Sequence, residues 1–348
     1  MIVTVPGTAS SSPPGPPAGP LPGPLSGSPP DRAPDPLPGT LSGSPADPLS
    51  QPPAATGRAA PAGIPLEAEV MARAGTENFP VALRVLPRRR RDGLLAIYGY
   101  ARLVDQLGDA YAGDRLAALD WLEAQLDAAL GQAPSTTVHP VVARIAGLVR
   151  SSGAGERQLR DLIAANRMDQ TVHRYATFED LLGYCHLSAD PVGRLVLLAF
   201  DASDERRVAW SDRICTALQL AEHWQDLAED LRAGRCYLPA DDLERFGVGD
   251  DQLAAAVAGG RAGTALRGLV AFEVARARRI LAEGAPLVAD LRGGARVAVA
   301  GFAGGGQAAL DAVADCGFDP FAGTPRPSRA RTLRHATALL VARTGGRP

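Results

Sequence analysis

From about residue 64 onward, apolar positions recur at three- and four-residue spacing, the period of a buried helix face. In 218–232, Leu220, Trp224, Leu227 and Leu231 form such a stripe. The pattern predicts helices over 64–74, 78–86, 90–110, 115–130, 140–151, 156–170, 178–187, 191–200, 204–233, 250–259, 262–284 and 305–316. Breakers fall between them: Gly75-Thr76, Gly113-Asp114, Gly153 to Gly155, Gly234 and Gly304 to Gly306, with Thr177 an N-cap candidate for the helix that Asp180 enters. No stretch alternates apolar and polar residues long enough to argue for a sheet. The expected class is all-α.

Two of these helices carry paired acids. Glu222, Asp226 and Asp230 recur at i, i+4, i+8. Side chains at that spacing are neighbours and like charges repel, so the stripe is destabilising unless a cation lies between its members. A hard divalent cation such as Mg²⁺, taking carboxylate and phosphate oxygens, would remove the cost. An isolated stripe of this kind is most often a solvated face. Here a second pair, Asp105 and Asp109, stands on the 90–110 helix, where Leu94, Tyr98, Ala101, Asp105 and Gly108 share one side. Asp105 therefore continues a largely apolar face and points inward, where a carboxylate needs a partner or a metal. Two inward acid pairs suggest a cavity that gathers several Mg²⁺ ions around a polyphosphate. Arg102, three residues before Asp105, either pairs with an acid or presents its fork to phosphate oxygens.

Composition narrows the classes. Residues 1–62 are rich in Pro, Gly, Ser and Ala with few charges, a disordered tail by composition. This stretch has neither the basic and apolar regions of a secretory signal nor the arginines of a transit peptide. The helical domain expected over 63–344 draws its core from Ala, Leu and Val, since aromatics make up 5% of the chain and hydrophobic residues 46%. A formal net charge of -2 argues against a nucleic-acid surface. The four cysteines, Cys185, Cys215, Cys236 and Cys316, form no C-x-x-C pair and read as reduced thiols of a cytoplasmic protein. No run of about 18 apolar residues is read as a transmembrane helix.

Smaller features are more ambiguous. Arg88 to Arg91 is either a solvated helix start or a diphosphate-facing cluster. His173 and His223 lack partners at zinc spacing and read as ordinary polar residues. Pro191 and Gly193, just past Tyr184-Cys185-His186, are expected to kink or interrupt the helix. A tyrosine beside such a break either donates into a cavity or packs in the core.

Taken together, these strings resemble the squalene/phytoene synthases, head-to-head prenyl transferases, over about 78–325. The matching residues are Tyr98-x-x-Ala-Arg102-x-x-Asp105-x-x-x-Asp109, Arg167-Met-Asp169, Tyr184-Cys-His, Gln225-Asp226-x-x-Glu229-Asp230, Gly234-Arg235-Cys-Tyr237-Leu-Pro239, and Leu310-Asp-Ala with Gly317-Phe-Asp. Glu77-Asn-Phe79-Pro-Val81, Asp169-Gln-Thr-Val-x-Arg174-Tyr-Ala and Trp224-Gln-Asp226 are similar to the bacterial hopanoid-pathway branch, which acts on presqualene diphosphate to give hydroxysqualene. Two departures stand out: Glu222 where the family usually has Asn, and Gln106 after Asp105 where an acid is common.

The resemblance implies an all-α isoprenoid synthase bundle with helices around a central cavity. It implies Asp105, Asp109, Asp226 and Asp230 as Mg²⁺ ligands with Glu222 an additional one, Tyr184 as the catalytic residue, and Tyr98, Arg102, Phe79, Gln225 and Arg235 as substrate-binding residues. The substrate would be a prenyl diphosphate, presqualene diphosphate going to hydroxysqualene or farnesyl diphosphate to squalene; NADPH is required only if squalene is the product. Peripheral membrane contact for release of a lipid product, and association with other hopanoid-pathway enzymes, are further implied. Alternatives are a phytoene synthase-like C20 condensation, a catalytically weakened helical partner of a second synthase, and an interaction protein whose Pro-rich tail is its purpose.

Overall fold

The computed structural model describes residues 60–72, 86–131 and 138–342, and among these no β-strand occurs. Residues 1–59 and, of the expected helix over 78–86, all but Leu86, Phe79 included, lie outside the described residues. Helices follow in the order α1 Glu67–Met71, α2 Arg88–Asp105, α3 Arg115–Leu130, α4 Pro140–Ser152, α5 Glu156–Met168, α6 Phe178–Ser188 and α7 Asp190–Ala199. After these come α8 Glu205–Arg232, α9 Ala240–Arg245, α10 Asp250–Gly259, α11 Thr264–Gly284, α12 Pro286–Asp290, α13 Gly293–Asp315 and α14 Arg329–Val341. A 3₁₀ turn, Pro320–Ala322, precedes the last helix.

Their ends follow from local chemistry. The Asp114 carboxylate accepts from the Ala117 N–H at the start of α3, and Asp204 does the same for Arg207 at the start of α8. Thr177 and Asp180 close a reciprocal capping box on α6. Gly153 ends α4 at φ 67°, a left-handed position that glycine takes without strain. The interruption expected near Pro191 lies at Ala189, with Pro191 in the first turn of α7, where its missing N–H costs nothing. Gly193 lets that helix approach α8, because a Cβ there would sit 2.4 Å from Cys215 Sγ.

Two apolar clusters form the core. One surrounds α8, whose Leu220, Trp224 and Leu227 stripe is buried against α6, α11 and α13. The other joins α2, α3, α4, α5 and α7. Full burial of one large side chain contributes about 1.5–3 kcal/mol, so Trp224 and its neighbours fix the inner face of α8 and thereby the direction of its acids.

The Arg88–Arg91 run sits at the start of α2, about 25 Å of helix from Asp105. Arg90 binds the Ala199 carbonyl at the end of α7 and Asp201 at 2.6 Å, a cation at a helix C-terminus. This placement favours the solvated, ion-paired reading over the diphosphate-facing one.

The largest departure from the sequence reading is α13. Gly304 to Gly306 were expected to break the chain, yet one helix runs from Gly293 to Asp315. The glycines are packing residues: a Cβ on Gly304 would lie 2.6 Å from the Ala336 backbone nitrogen, and one on Gly306 2.4 Å from Leu218 Cδ2. Alanine and glycine also make α13 long and apolar enough to cross a membrane by length and composition alone, although most of it is buried inside the protein. Helices α9, α12 and α14 were missed as well; two are too short to show a periodicity.

The glycines of α13 yield a differential test. A Cβ on Gly301 meets nothing within 4 Å, so Gly301→Ala should stabilise by up to about 1 kcal/mol through helix propensity. Gly304→Ala should destabilise by about 1–3 kcal/mol, because backbone must shift. Urea midpoints of both variants check this, and equal midpoints would contradict the close approach of α13 and α14.

Candidate functional site

The acids are brought together by two local distortions. At the end of α2 the helix widens into a π turn, Gln106–Ala110, rather than continuing as the expected α-helix to residue 110. Gly108 permits it. Asn166 of α5 packs so close that a Cβ on Gly108 would lie 2.1 Å from its Oδ1, and the Gln170 side-chain amide donates to the Gly108 carbonyl at 3.0 Å. The turn leaves Asp105 half-buried and swings Asp109 to the surface.

At the end of α8, Gly234 at φ 81° reverses the chain, and the Arg235 N–H donates to the Asp230 carbonyl at 2.8 Å. Cys236 then pairs with the segment after α5, donating its N–H to the His173 carbonyl. The reversal throws the Arg235 side chain back across the acids. Its guanidinium lies 3.1 Å from Asp109 Oδ1 and 3.4 Å from Asp230 Oδ1, so one cation bridges the two motifs.

The two motifs also feel each other's charge. Burial pushes Asp105 well above the usual carboxylate range, and the charges of Asp109 and Glu222 push it further. Asp226 is pushed up to about 7, first by burial, then by Glu222 and Asp230. Asp230 is pushed up to about 6 by burial, against the lowering effect of Arg235. Three carboxylates that resist ionisation mark a place short of positive charge. Arg102 is buried on α2 with its Nε–H unpartnered, as is the Nε–H of Arg235.

Beneath the acids is an aromatic box. Tyr175, Tyr184 and Tyr237 have ring centroids 5.7–5.8 Å apart, and His223 stacks on Tyr237 at 3.7 Å. The Tyr184 hydroxyl donates to Asp169 Oδ2 at 2.8 Å, and the Tyr237 hydroxyl approaches Oδ1 at 3.5 Å. Asp169 is pushed up to about 7 by burial, a shift the Tyr184 hydrogen bond opposes. Burial and the neighbouring Asp169 carboxylate hold the Tyr184 hydroxyl well above its usual range, so it stays protonated. Burial likewise keeps the His223 imidazole neutral.

Set against the sequence reading, Asp105, Asp109, Glu222, Asp226, Asp230, Arg235 and Tyr184 fall in this one region. Tyr98 is half-buried one turn before Arg102 on α2. The Gln225 amide donates to the Pro325 carbonyl and ties α8 to the chain leading into α14. Asp169, Tyr175, Tyr237 and His223 were not singled out as site residues. Asp169 and Tyr237 were present in the Arg167-Met-Asp169 and Gly234-Arg235-Cys-Tyr237 strings, but only the fold shows that both point at Tyr184.

Comparison with known proteins agrees with this geometry. The squalene/phytoene synthase family model matches residues 72–335. The hydroxysqualene synthase of Rhodopseudomonas palustris is 35% identical over 222 residues, 62% of this chain and 72% of the relative. The phytoene synthase of Mycobacterium tuberculosis is 29% identical over 182 residues, 52% of this chain and 59% of the relative. Among solved structures, squalene synthase HpnC from Alicyclobacillus acidocaldarius aligns with TM-score 0.65 at 39% identity, covering 71% of this chain and 92% of that one. A dehydrosqualene synthase solved with a ligand aligns with TM-score 0.67 at 25% identity, covering 78% and 93%. The chain is a prenyltransferase-type enzyme with the all-helical isoprenoid synthase fold, and it belongs to the squalene/phytoene synthase family.

Proposed function

We propose that this chain ionises a C30 prenyl diphosphate, converting presqualene diphosphate to hydroxysqualene. The observation that carries the reading is the pair of acid motifs bridged by Arg235 directly above a box of three tyrosines. The similarity to hydroxysqualene synthases supports the choice of substrate.

The residues present suit Mg²⁺. Among the described residues no three His, Cys, Asp or Glu side chains converge into a ready cage. Mg²⁺ commonly binds through one or two carboxylates and completes its shell with water and substrate phosphates, so paired acids fit an ion that binds together with a diphosphate. Asp105, Asp109, Asp226 and Asp230 would hold it, with Glu222 alongside. When bound, the metal supplies positive charge to the departing diphosphate.

The chain's own groups do the rest. Arg102 and Arg235 offer their unpartnered Nε–H groups to phosphate oxygens. Tyr184 keeps its proton and so acts as a hydrogen-bond donor rather than a base. The faces of Tyr175, Tyr184 and Tyr237 present π density to a carbocation, an interaction worth ~2 kcal/mol when desolvated. The apolar wall beside them limits premature quenching by water.

Product analysis tests the reading. Purified protein with Mg²⁺ and presqualene diphosphate should yield hydroxysqualene without NADPH. Squalene formed only with NADPH, phytoene from a C20 diphosphate, or no turnover on any of these substrates would each overturn it; the last would indicate a partner subunit.

Asp226→Asn separates a working acid stripe from a solvated one. Turnover should fall by about 10²–10³-fold, several kcal/mol of transition-state stabilisation. Stability without divalent cation should move the other way. Asp226 stays protonated up to about pH 7 in the folded chain, against about 3.9 in an unfolded one. Its folded form therefore binds the extra proton between those values, so its destabilising effect is absent below pH 4 and complete above pH 7. The variant's Tm in chelator should exceed that of the parent by about 2–4 °C at pH 8 if ~1 kcal/mol is relieved, and match it at pH 4. A solvated face would leave both quantities almost unchanged.

Tyr184→Phe should lower kcat at least tenfold with little change in KM. Loss of the hydrogen bond to Asp169, whose carboxyl burial pushes up to about 7, should also reduce stability by about 1 kcal/mol. An unchanged kcat would reduce Tyr184 to a packing residue.

A further inference from the structure

Outside the acid-lined site, a second set of charged groups is buried between α9 and α11. Arg276 of α11 donates through Nη1 to Asp242 Oδ2 at 2.7 Å and through Nη2 to Asp242 Oδ1 at 3.2 Å. The same Nη1 reaches Glu273 Oε1 at 3.0 Å. Glu273 is fully buried, Asp242 nearly so, and Arg276 largely so. The guanidinium carbon lies 4.0 Å from the centre of the Phe178 ring and 4.5 Å from that of Phe272, and Arg245 covers Phe272 at 4.7 Å. Removing one partner of a buried ion pair leaves an uncompensated charge, so this cluster holds its elements more firmly than a surface contact would.

The elements it joins are those that carry the box tyrosines. Asp242 lies on α9, whose first residue is Ala240, just beyond Tyr237, Leu238 and Pro239. Phe178 is the first residue of α6, the helix of Tyr184. The chain before α6 carries Tyr175 and is zipped to the chain after α8. There the N–H groups of Cys236, Ala240 and Asp241 donate to the carbonyls of His173, Tyr175 and Ala176 at 2.8, 2.9 and 3.1 Å. From α11, one guanidinium therefore grips both sides of that zipper, through Asp242 on one and Phe178 on the other.

Two acids share this arginine, and their count decides what pH does to it. Burial pushes Glu273 up to about 8; Arg276 opposes this, while the charges of Asp242 and Asp241 and a hydrogen bond with Asp242 add to it. Below that value Glu273 keeps its proton and Arg276 balances Asp242. Above it two carboxylates face one guanidinium. An unfolded glutamate titrates near about 4.3. The folded chain therefore holds an extra proton up to about pH 8, and the stability tied to that proton is lost as pH rises through this window.

We propose that Arg276, gripped by Asp242 and Glu273, is a positioning residue for the aromatic box: it sets the rings of Tyr175, Tyr184 and Tyr237 without touching substrate. Its effect on turnover rests on the proposed role of those rings in facing a carbocation; its effect on ring geometry does not.

Two readouts test this, one of them free of substrate. Near-UV circular dichroism reports the fixed packing of the tyrosines, and diphosphate release from presqualene diphosphate reports kcat and KM. Arg276→Met should lower kcat by about tenfold or more, keep KM within about threefold of the parent, and weaken the tyrosine near-UV band while the far-UV spectrum is kept. Arg276→Lys should restore neither, because an ammonium cannot fork onto Asp242 and stack on Phe178 at once. In the parent, kcat and the near-UV band should fall together as pH rises through about 8. Glu273→Gln, which cannot ionise, should remove that step from both. A parent-like band or a parent-like kcat in Arg276→Met, full rescue by lysine, or a step that survives Glu273→Gln overturns the proposal. Should Arg276→Met unfold the protein, the pH comparison of Glu273→Gln with the parent decides by the same criterion. If the parent releases no diphosphate, the functional reading fails by itself, and the near-UV band then decides: altered in the variants it upholds the positioning role, unaltered it overturns it.

Discussion

A single guanidinium holds the site together. Arg235 touches Asp109 from one acid motif and Asp230 from the other, so two helices that belong to different apolar clusters meet through its charge. Without that guanidinium, Asp109 and Asp230 would lose the cation that each now contacts, beside Asp105, Glu222 and Asp226. The position of Arg235 depends in turn on Gly234, the left-handed residue that ends α8. The main geometry of the mouth thus rests on one turn residue and one salt-bridged arginine.

Much of this was legible from spacing. The burial of Leu220, Trp224 and Leu227 follows from helical period, and that burial orients Asp226 and Asp230 by default. The inward phase of Asp105 could be read the same way. The π turn could not, because a 3.6-residue template has no means of showing where a helix widens; the cause is a contact between Gly108 and Asn166, residues far apart in sequence. Gly304 and Gly306 misled for a related reason. A glycine that breaks a helix and a glycine that lets two helices touch look alike until the neighbour is known. Gln225 was placed by its motif, but its partner, Pro325, is a hundred residues away.

Glu222 adds negative charge to a crowded place. It raises both Asp105 and Asp226, so it couples the two motifs electrostatically as well as standing beside one of them. An asparagine there would contribute an oxygen without the charge. The glutamate therefore adds to the cost of ionising its neighbours, through Coulomb interactions among half-buried groups.

The same reasoning explains why the box lies where it does. Asp169 hangs between Tyr184 and Tyr237 and also feels the charge of Asp109 and Arg235. Charge gained or lost among the acids is thereby transmitted to the hydroxyls that line the apolar floor. Neutralising the acids from outside would lower the field that raises Asp169, favour its ionised form and strengthen its hold on the Tyr184 proton. The surplus of carboxylates thus bears both on the charge of the mouth and on the hydrogen bond that Tyr184 gives to Asp169.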